Sequence, residues 1–180
     1  SNDTKSQSNY TNASSFTVVS TTALNATLNI SGVNITGITQ NDNKTVNFLI
    51  NLQNMGLANA YSAILNWTLP ANWIISQNPK SFGTIGNGST SLQNFTLTIP
   101  KTTAPGLYSV LGSVNWTNPS GNISYTTATL YVQVATNRII NMTEVLGLAI
   151  SHGSRNSTSF LISSTGNHNL SSVNLSCTSQ

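Results

Sequence analysis

Sixteen asparagines have the residue type and spacing for a covalent modification, because each heads an N-x-S/T triplet in which x is not proline. In a secreted protein such a triplet presents its side-chain amide as an acceptor for an N-linked glycan. The candidate acceptors are Asn2, Asn9, Asn12, Asn25, Asn29, Asn34, Asn43, Asn66, Asn87, Asn94, Asn115, Asn122, Asn141, Asn156, Asn169 and Asn174. Random placement of the serines and threonines predicts about seven triplets, and polar strand faces raise this to about a dozen. The number alone therefore leaves open an unglycosylated protein with a polar coat.

The position of the triplets within alternating stretches is more informative than their number. In residues 24–30, Asn25 and Asn29 share one face of a predicted strand, and Leu24 and Leu28 share the opposite face. Two later predicted strands show the same agreement between acceptor and polar face. Since a glycan must project into solvent, the candidate acceptors indicate the solvent-exposed face of each strand. The sequence therefore predicts dense glycosylation.

Side chains that perform catalysis or bind metals are scarce. The chain has three carboxylates, two histidines and one cysteine, namely Asp3, Asp42, Glu144, His152, His168 and Cys177. Their spacing gives no glycosidase pair and no metal-ligand cluster, and no G-x-S-x-G motif is present. We therefore expect no enzyme, no metal and no cofactor other than covalent glycans. A single cysteine also excludes a disulfide within the chain.

Charge is equally scarce, since only 5% of residues are charged and the formal net charge is +3. The six basic residues are scattered, so we expect no nucleic-acid partner. No run of about 18 apolar residues is present, so we expect no direct membrane span. Few carboxylates also predict tolerance of acid, because acid unfolding mostly protonates carboxylates that the native state keeps ionised.

Alternating short apolar stretches predict an all-β protein throughout, and no segment has a convincing helical period. The candidate strands are 16–20, 24–30, 33–38, 45–53, 61–69, 92–99, 107–116, 125–134, 139–150, 158–163 and 170–177. Turn residues separate most of them, as in a β-sandwich with Greek-key connections. Trp67 and Trp116 each follow a sequon asparagine, and this alternation predicts core positions rather than sugar-stacking ones. The expected fold is an immunoglobulin-like or pilin-like sandwich with an extended N-terminal strand.

Residues 45–116 contain a strand ending in Asn54-Met55-Gly56, a Leu69-Pro70…Trp73 turn, a Gly86…Gly88 turn and a Pro105-Gly106…Tyr108 strand. With these features, this part of the chain resembles the immunoglobulin-like CARDB and NEW3 modules of archaeal surface proteins. It implies the fold and says almost nothing about a ligand.

A weaker internal similarity concerns the last part of the chain. Residues 157–178 repeat the pattern of residues 45–68, with Phe160-Leu161-Ile162 matching Phe48-Leu49-Ile50 and Gly166 matching Gly56. We expect three parts: a tail (1–22), an immunoglobulin-like sandwich (23–136) and C-terminal strands (137–180). The C-terminal strands are either an incomplete second lobe or closing strands of the same sandwich, and two or three strands bury no core alone.

Composition, sequon density, size and strand layout together resemble the thread filaments of thermoacidophilic archaea. That resemblance implies an extracellular structural subunit on the cell surface, in which copies join head-to-tail by donor-strand complementation. The donor candidates are Phe16, Val18 and Val19, chosen from the alternation in the tail. For Val19 both orientations stay open, toward the acceptor or outward. An adhesion target on a surface or another cell is the further partner expected. The alternative is an immunoglobulin-like carbohydrate- or partner-binding module of a cell-surface or S-layer protein.

Overall fold

The computed structural model describes residues 21–29, 32–39, 42–143, 152–153, 155, 159–174 and 176 of the 180-residue chain. The described residues form eleven β-strands and no helix. The strands are β1 (Leu24–Leu28), β2 (Gly32–Ile35), β3 (Lys44–Asn54), β4 (Ala60–Thr68), β5 (Ile74–Ile75), β6 (Lys80–Ile85), β7 (Thr90–Ile99), β8 (Gly106–Thr117), β9 (Ile123–Val134), β10 (Ile140–Met142) and β11 (Ile162–Ser164). The all-β prediction is confirmed. Among the described residues, no helix is long and apolar enough to cross a membrane.

Nine strands form two sheets that pack face to face. The four-stranded sheet has the order β1-β3-β7-β5, and the five-stranded sheet has the order β2-β9-β8-β4-β6. All neighbouring strands are antiparallel except β2, which runs parallel to β9. The longest ladders pair β3 with β7 and β8 with β9. They lie at the centres of their sheets, and the other strands extend the sheets on either side.

The core fills the space between the two sheets. Every second residue of β3 from Val46 to Leu52 is buried, as expected for a strand with one dry face. Trp67 of β4 packs edge-on against Phe48 at 5.4 Å and Phe95 at 5.2 Å between ring centroids. Such edge-to-face pairs add stabilisation beyond the area that they bury. This aromatic cluster joins the two sheets at the middle of the sandwich.

Several strand boundaries differ from the sequence prediction. Neither β5 nor β6 was predicted, because Pro79 and Gly83 interrupt the alternation over residues 74–85. The strand predicted at 158–163 begins only at Ile162, and the one predicted at 139–150 is a strand over Ile140–Met142 in its described part.

The prediction of a strand over 170–177 is wrong for residues 170–174, which are irregular. Residues 171–174 are exposed, and within the described part no neighbouring strand satisfies their backbone groups. The strand predicted at 16–20 lies outside the described residues.

The strand pair β10–β11, called the ribbon below, forms a separate two-stranded sheet. It is attached to one end of the sandwich by side-chain amides. Asn137 Nδ2 donates to the carbonyl oxygen of Ile38 at 2.7 Å, and Asn167 Nδ2 donates to that of Ala135 at 2.9 Å. A β-bridge between Thr39 and Gly166 adds a backbone contact.

Candidate functional site: glycan acceptors and strand ends

Five sequon asparagines lie on the outer faces of the two sheets. Asn25 and Asn94 belong to the four-stranded sheet, and Asn34, Asn66 and Asn115 belong to the five-stranded sheet. All five are exposed, and the residues beside them in each strand point toward the core or the gap between the sheets. The alternation of each strand therefore turns these candidate acceptors outward.

The other described sequon asparagines lie mostly in turns and at strand ends, and all are exposed. They are Asn29, Asn43, Asn87, Asn122, Asn141, Asn169 and Asn174. All twelve described candidates are thus exposed. Asn2, Asn9, Asn12 and Asn156 lie outside the described residues.

Asparagines outside the triplets behave differently. Of the nine that are described, four are exposed and five are buried or half-buried, namely Asn51, Asn54, Asn118, Asn137 and Asn167. Four of these five use the side chain to hold the backbone or another side chain. In the described part of the chain, the triplet asparagines are thus all exposed, whereas more than half of the other asparagines are not. Polar strand faces contribute to this difference.

Some acceptors also make hydrogen bonds within the chain. The amide oxygen of Asn29 accepts from the backbone N–H of Leu49 at 2.6 Å, and that of Asn43 accepts from Lys101 N–H at 2.8 Å. Asn141 Nδ2 donates to Thr165 Oγ1 at 3.2 Å. A glycan replaces one hydrogen on Nδ2, so the oxygen bonds survive glycosylation and Asn141 keeps one N–H.

Exposed apolar side chains flank at least one acceptor. Asn115 lies directly between Ile64 of β4 and Tyr125 of β9 in the strand register. Tyr125 is 74% exposed and Ile64 is 38% exposed. Neighbouring cross-strand side chains lie about 5 Å apart, so a sugar attached at Asn115 is within reach of both.

Trp67 and Trp116 are buried in the core, as predicted. Trp73, in the turn before β5, is buried as well. Trp73 packs against Tyr108 at 5.0 Å between ring centroids, beneath a shallow depression at the end of the sandwich. The ring faces are therefore occupied by protein, which leaves little surface for stacking on a sugar.

The side chains that perform catalysis do not converge. His152 and His168 are exposed, and Asp42 lies 3.9 Å from Lys44 in an exposed ion pair. Where the chain is described, no three His, Cys, Asp or Glu side chains lie together as a metal site requires. Asp3, Glu144 and Cys177 lie outside the described residues.

The predicted donor residues Phe16, Val18 and Val19 also lie outside the described residues, but the segment that follows them is anchored. Thr22 Oγ1 accepts a hydrogen bond from the indole N–H of Trp116 at 2.7 Å. Thr22 Oγ1 also donates to Asn118 Oδ1. Sequence reasoning missed this anchor, because the sequence shows no signal that pairs a tail threonine with Trp116. Thr22 therefore lies at the end of the sandwich where β8 finishes.

The family model of the NPCBM-associated, NEW3 domain of alpha-galactosidase matches residues 40–117. This range includes the residues on which the resemblance to NEW3-type modules rests, and it supports an immunoglobulin-like domain there. The comparison with curated proteins gives no match.

Three solved structures illustrate the similarity. The CARDB domain of a Pyrococcus furiosus protein, solved with di-metal ions, is 14% identical, with 65% of this chain and 90% of that chain covered and a TM-score of 0.41. A PapD-like domain of human CEP192 is 12% identical, with 61% and 84% covered and a TM-score of 0.39. The E. coli chaperone DraB is 10% identical, with 64% and 58% covered and a TM-score of 0.36. The strand arrangement of the chain itself gives the fold class, an immunoglobulin-like β-sandwich.

Proposed function

We propose that the chain is a structural, heavily N-glycosylated subunit of an extracellular archaeal surface filament that serves adhesion or biofilm formation. Copies join head-to-tail, each donating a strand from its residues 1–22 to the next. The subunit performs no catalysis. It spans no membrane and binds no nucleic acid.

The observation that carries the proposal is the outward position of all twelve described sequon asparagines. A chain with 5% charged residues needs another source of solubility, and dense neutral glycans supply it. Glycans over Asn115 also cover Tyr125 and Ile64, which otherwise expose apolar surface on the outer face of the sheet. Such a coat suits a protein that lives outside the cell.

Strand donation is supported by two features of the chain. The tail alternates apolar and polar residues at Phe16, Thr17 and Val18, as a strand with one dry face does. The ribbon has only two strands among the described residues, and a two-stranded sheet is marginal by itself. A strand from another copy adds backbone hydrogen bonds for affinity and side-chain alternation for register. Because this contact joins two different surfaces, it builds a fibre rather than a closed dimer.

The NEW3 match favours a second candidate function, an immunoglobulin-like carbohydrate- or partner-binding module of a cell-surface or S-layer protein. Such a module remains monomeric when purified. It presents a binding surface instead of polymerising.

Electron microscopy and size-exclusion chromatography of the native glycoprotein separate the two functions. The filament proposal expects long threads and occupied sequons in glycopeptide mass spectra. The Phe16→Asp, Val18→Asp double variant is expected to abolish the threads, and Thr17→Asp, on the opposite strand face, serves as the matched control. Discrete monomers of the wild-type protein, or bare asparagines throughout, would contradict the proposal.

A further inference from the structure

A shallow depression of about 330 Å³ lies on the outer face of the five-stranded sheet, beside its end strand β2. Two large apolar side chains in its lining are exposed, Leu107 of β8 to 66% and Tyr131 of β9 to 51%. The other lining residues are Gly32, Val33, Asn34 and Gln133. Exposed apolar side chains at a concave surface with a few polar groups are typical of a binding site.

The strand register places the candidate acceptor Asn34 at the rim of this depression. Asn34 pairs with Gln133 of β9, and Gln133 pairs with Leu107 of β8, so the three residues form one row across the sheet. Tyr131 lies two residues before Gln133 and therefore on the same face. All four residues are exposed, because the row points away from the core. A group attached to Asn34 thus starts beside both apolar side chains.

The dimensions of the row suit the first sugar of an N-linked glycan. Neighbouring strands lie about 4.8 Å apart, so two strand spacings separate Asn34 from Leu107 by about 10 Å. An asparagine side chain and one pyranose ring together span roughly that distance. A sugar that lies across the row covers Leu107 and Tyr131, whereas a sugar that projects straight into solvent leaves them exposed.

The lining offers both kinds of contact that a pyranose makes. The C–H surface of the ring packs on apolar and aromatic side chains such as Leu107 and Tyr131. Its hydroxyl groups need hydrogen-bond partners, and Gln133 lies between these side chains and Asn34. Gln133 Nε2 donates to the carbonyl oxygen of Val134 at 3.4 Å. A primary amide also has a second N–H and an acceptor oxygen for sugar hydroxyl groups.

The covalent bond to Asn34 makes a weak contact sufficient. A ligand on a short flexible tether meets its site at an effective concentration in the millimolar range. A sugar whose affinity for the depression is only millimolar would therefore occupy it about half of the time or more. The same sugar free in solution would bind poorly, so this site differs from that of a carbohydrate-binding module.

A sugar bound in this way would also hold β2 on the sheet. Strand β2 has four residues, of which only Ile35 is buried, and it runs parallel to β9. Parallel pairs are slightly less stable per residue than antiparallel pairs. A glycan that is attached to β2 and packs on β8 and β9 joins three strands, and it therefore opposes the opening of this short ladder.

We propose that Leu107, Tyr131 and Gln133 bind the first sugar of a glycan at Asn34 of the same chain. The ligand is a pyranose linked through Asn34 Nδ2. This glycan is a part of the fold that fastens β2, in addition to being a source of solubility. The inference rests on the glycosylation in the proposed function and gives one acceptor a structural role.

Strand β1 provides a matched control, because it is also the end strand of a sheet and carries an exposed candidate acceptor, Asn25. The row of Asn25 continues to Gln53 and then to Thr90, and both are polar and exposed. A sugar at Asn25 that lies across its row meets polar side chains. We therefore expect its loss to leave β1 unchanged.

Single-sequon variants of the native glycoprotein test the proposal. Asn34→Gln and Thr36→Ala both remove the glycan, and Thr36→Ala keeps the asparagine. Each should lower the Tm by about 3 °C, as the loss of a modest contact does in a chain of this size. Each should also make amide hydrogen exchange in β2 about threefold faster, because the strand opens more often. Asn25→Gln should change neither the Tm nor the exchange in β1, and glycopeptide mass spectrometry verifies each loss.

A double-mutant cycle connects the effect to the depression. The lining variant carries Leu107→Thr and Tyr131→Thr, both at exposed strand positions, and threonine is itself favoured in strands. In this background Asn34→Gln should no longer change the Tm, since the contacts that the sugar makes are already absent. An unaltered effect of Asn34→Gln in the lining variant would show that the sugar does not bind there.

The remaining outcomes separate this inference from the proposed function. Equal effects of Asn34→Gln and Asn25→Gln, or an Asn34 that is bare while other sequons are occupied, overturn the bound sugar and leave the glycoprotein standing. Bare asparagines throughout contradict the glycoprotein itself. If Asn34→Gln keeps its Tm and the lining variant forms no threads, another copy covers the depression, and the bound sugar is again overturned.

Discussion

The side chain of Asn54 connects the two sheets of the sandwich, because its Nδ2 donates to the carbonyl oxygen of Ile85 at 2.9 Å. Asn54 ends β3 in one sheet, and Ile85 ends β6 in the other. The same Nδ2 donates to Ala58 at 2.8 Å, and Oδ1 accepts from Gly56 N–H at 3.0 Å. One fully buried amide thereby satisfies three backbone groups. It holds the connection between β3 and β4 at the position where the tail crosses.

Replacing Asn54 with alanine should destabilise the sandwich by about 3 kcal/mol, since three hydrogen bonds are lost and their backbone partners stay buried. Chemical denaturation monitored by tryptophan fluorescence measures the free energy of unfolding. Asn47→Ala is the matched control, because Asn47 is exposed and accepts one hydrogen bond from Thr96. Equal effects of the two substitutions would show that the buried amide has no special role.

The long strands could be predicted from the sequence because their burial alternates with period two. This holds for β3 and β8, in which nearly every second residue is buried. It fails for β5, which has two residues, and for β6, whose position depends on pairing with β4 across a bulge. Pairing of that kind depends on tertiary contacts that no local pattern contains.

The exposure of the candidate acceptors could also be predicted, since a triplet rule and strand phase are both local. The role of Asn54 could not, because its partner Ile85 is 31 residues away along the chain and becomes a neighbour only after folding. The ribbon could be predicted only in part. The match of Gly166 with Gly56 was possible from the sequence alone, but the alignment of Ile162 required its observed pairing with Met142.

Gly56→Ala and Gly166→Ala should have different consequences, although each glycine lies against the backbone of another segment. At position 56 the added methyl group clashes with the backbone of the tail segment and should cost the sandwich about 2 kcal/mol. At position 166 the clash is with Asn137, so the ribbon should open while the sandwich keeps its Tm. Amide hydrogen exchange at Thr165 and Asn167 reports that opening.

Gly32→Ala is the control for both glycine variants. A Cβ on Gly32 would be 3.5 Å from the carbonyl oxygen of Tyr131, which is an ordinary contact. Gly32→Ala should change neither the Tm of the sandwich nor the amide hydrogen exchange of Thr165 and Asn167. A Gly166→Ala variant with unchanged exchange at both amides would contradict the close backbone contact between Gly166 and Asn137.

On the proposed glycoprotein, removing the glycan at Asn115 should reduce solubility more than removing the one at Asn87. Asn115 lies between Ile64 and Tyr125, whereas Asn87 lies between two glycines in the turn between β6 and β7. Asn115→Gln therefore uncovers an apolar patch, and Asn87→Gln uncovers a polar turn. Static light scattering of the two glycoproteins against concentration makes the comparison, with glycopeptide mass spectrometry to verify the loss at each site. If both variants self-associate equally, the glycan at Asn115 does not shield its neighbours.

Acid should change the stability of this protein very little. A carboxylate that is stabilised in its ionised form by the folded state contributes stability above its unfolded pKa, and that contribution is lost as the pH falls. The chain has only three carboxylates, and Asp42 is paired with Lys44 at 3.9 Å on the surface, where ion pairs contribute little. Protonating every carboxylate and both histidines leaves eight positive side chains on 180 residues, so mutual repulsion stays small. We expect the Tm at pH 2 to lie within about 5 °C of the Tm at pH 7, which corresponds to about 1 to 2 kcal/mol for a chain of this size. Differential scanning calorimetry across that range measures it, and a fall of about 15 °C would mean that the folded state depends on an ionised carboxylate.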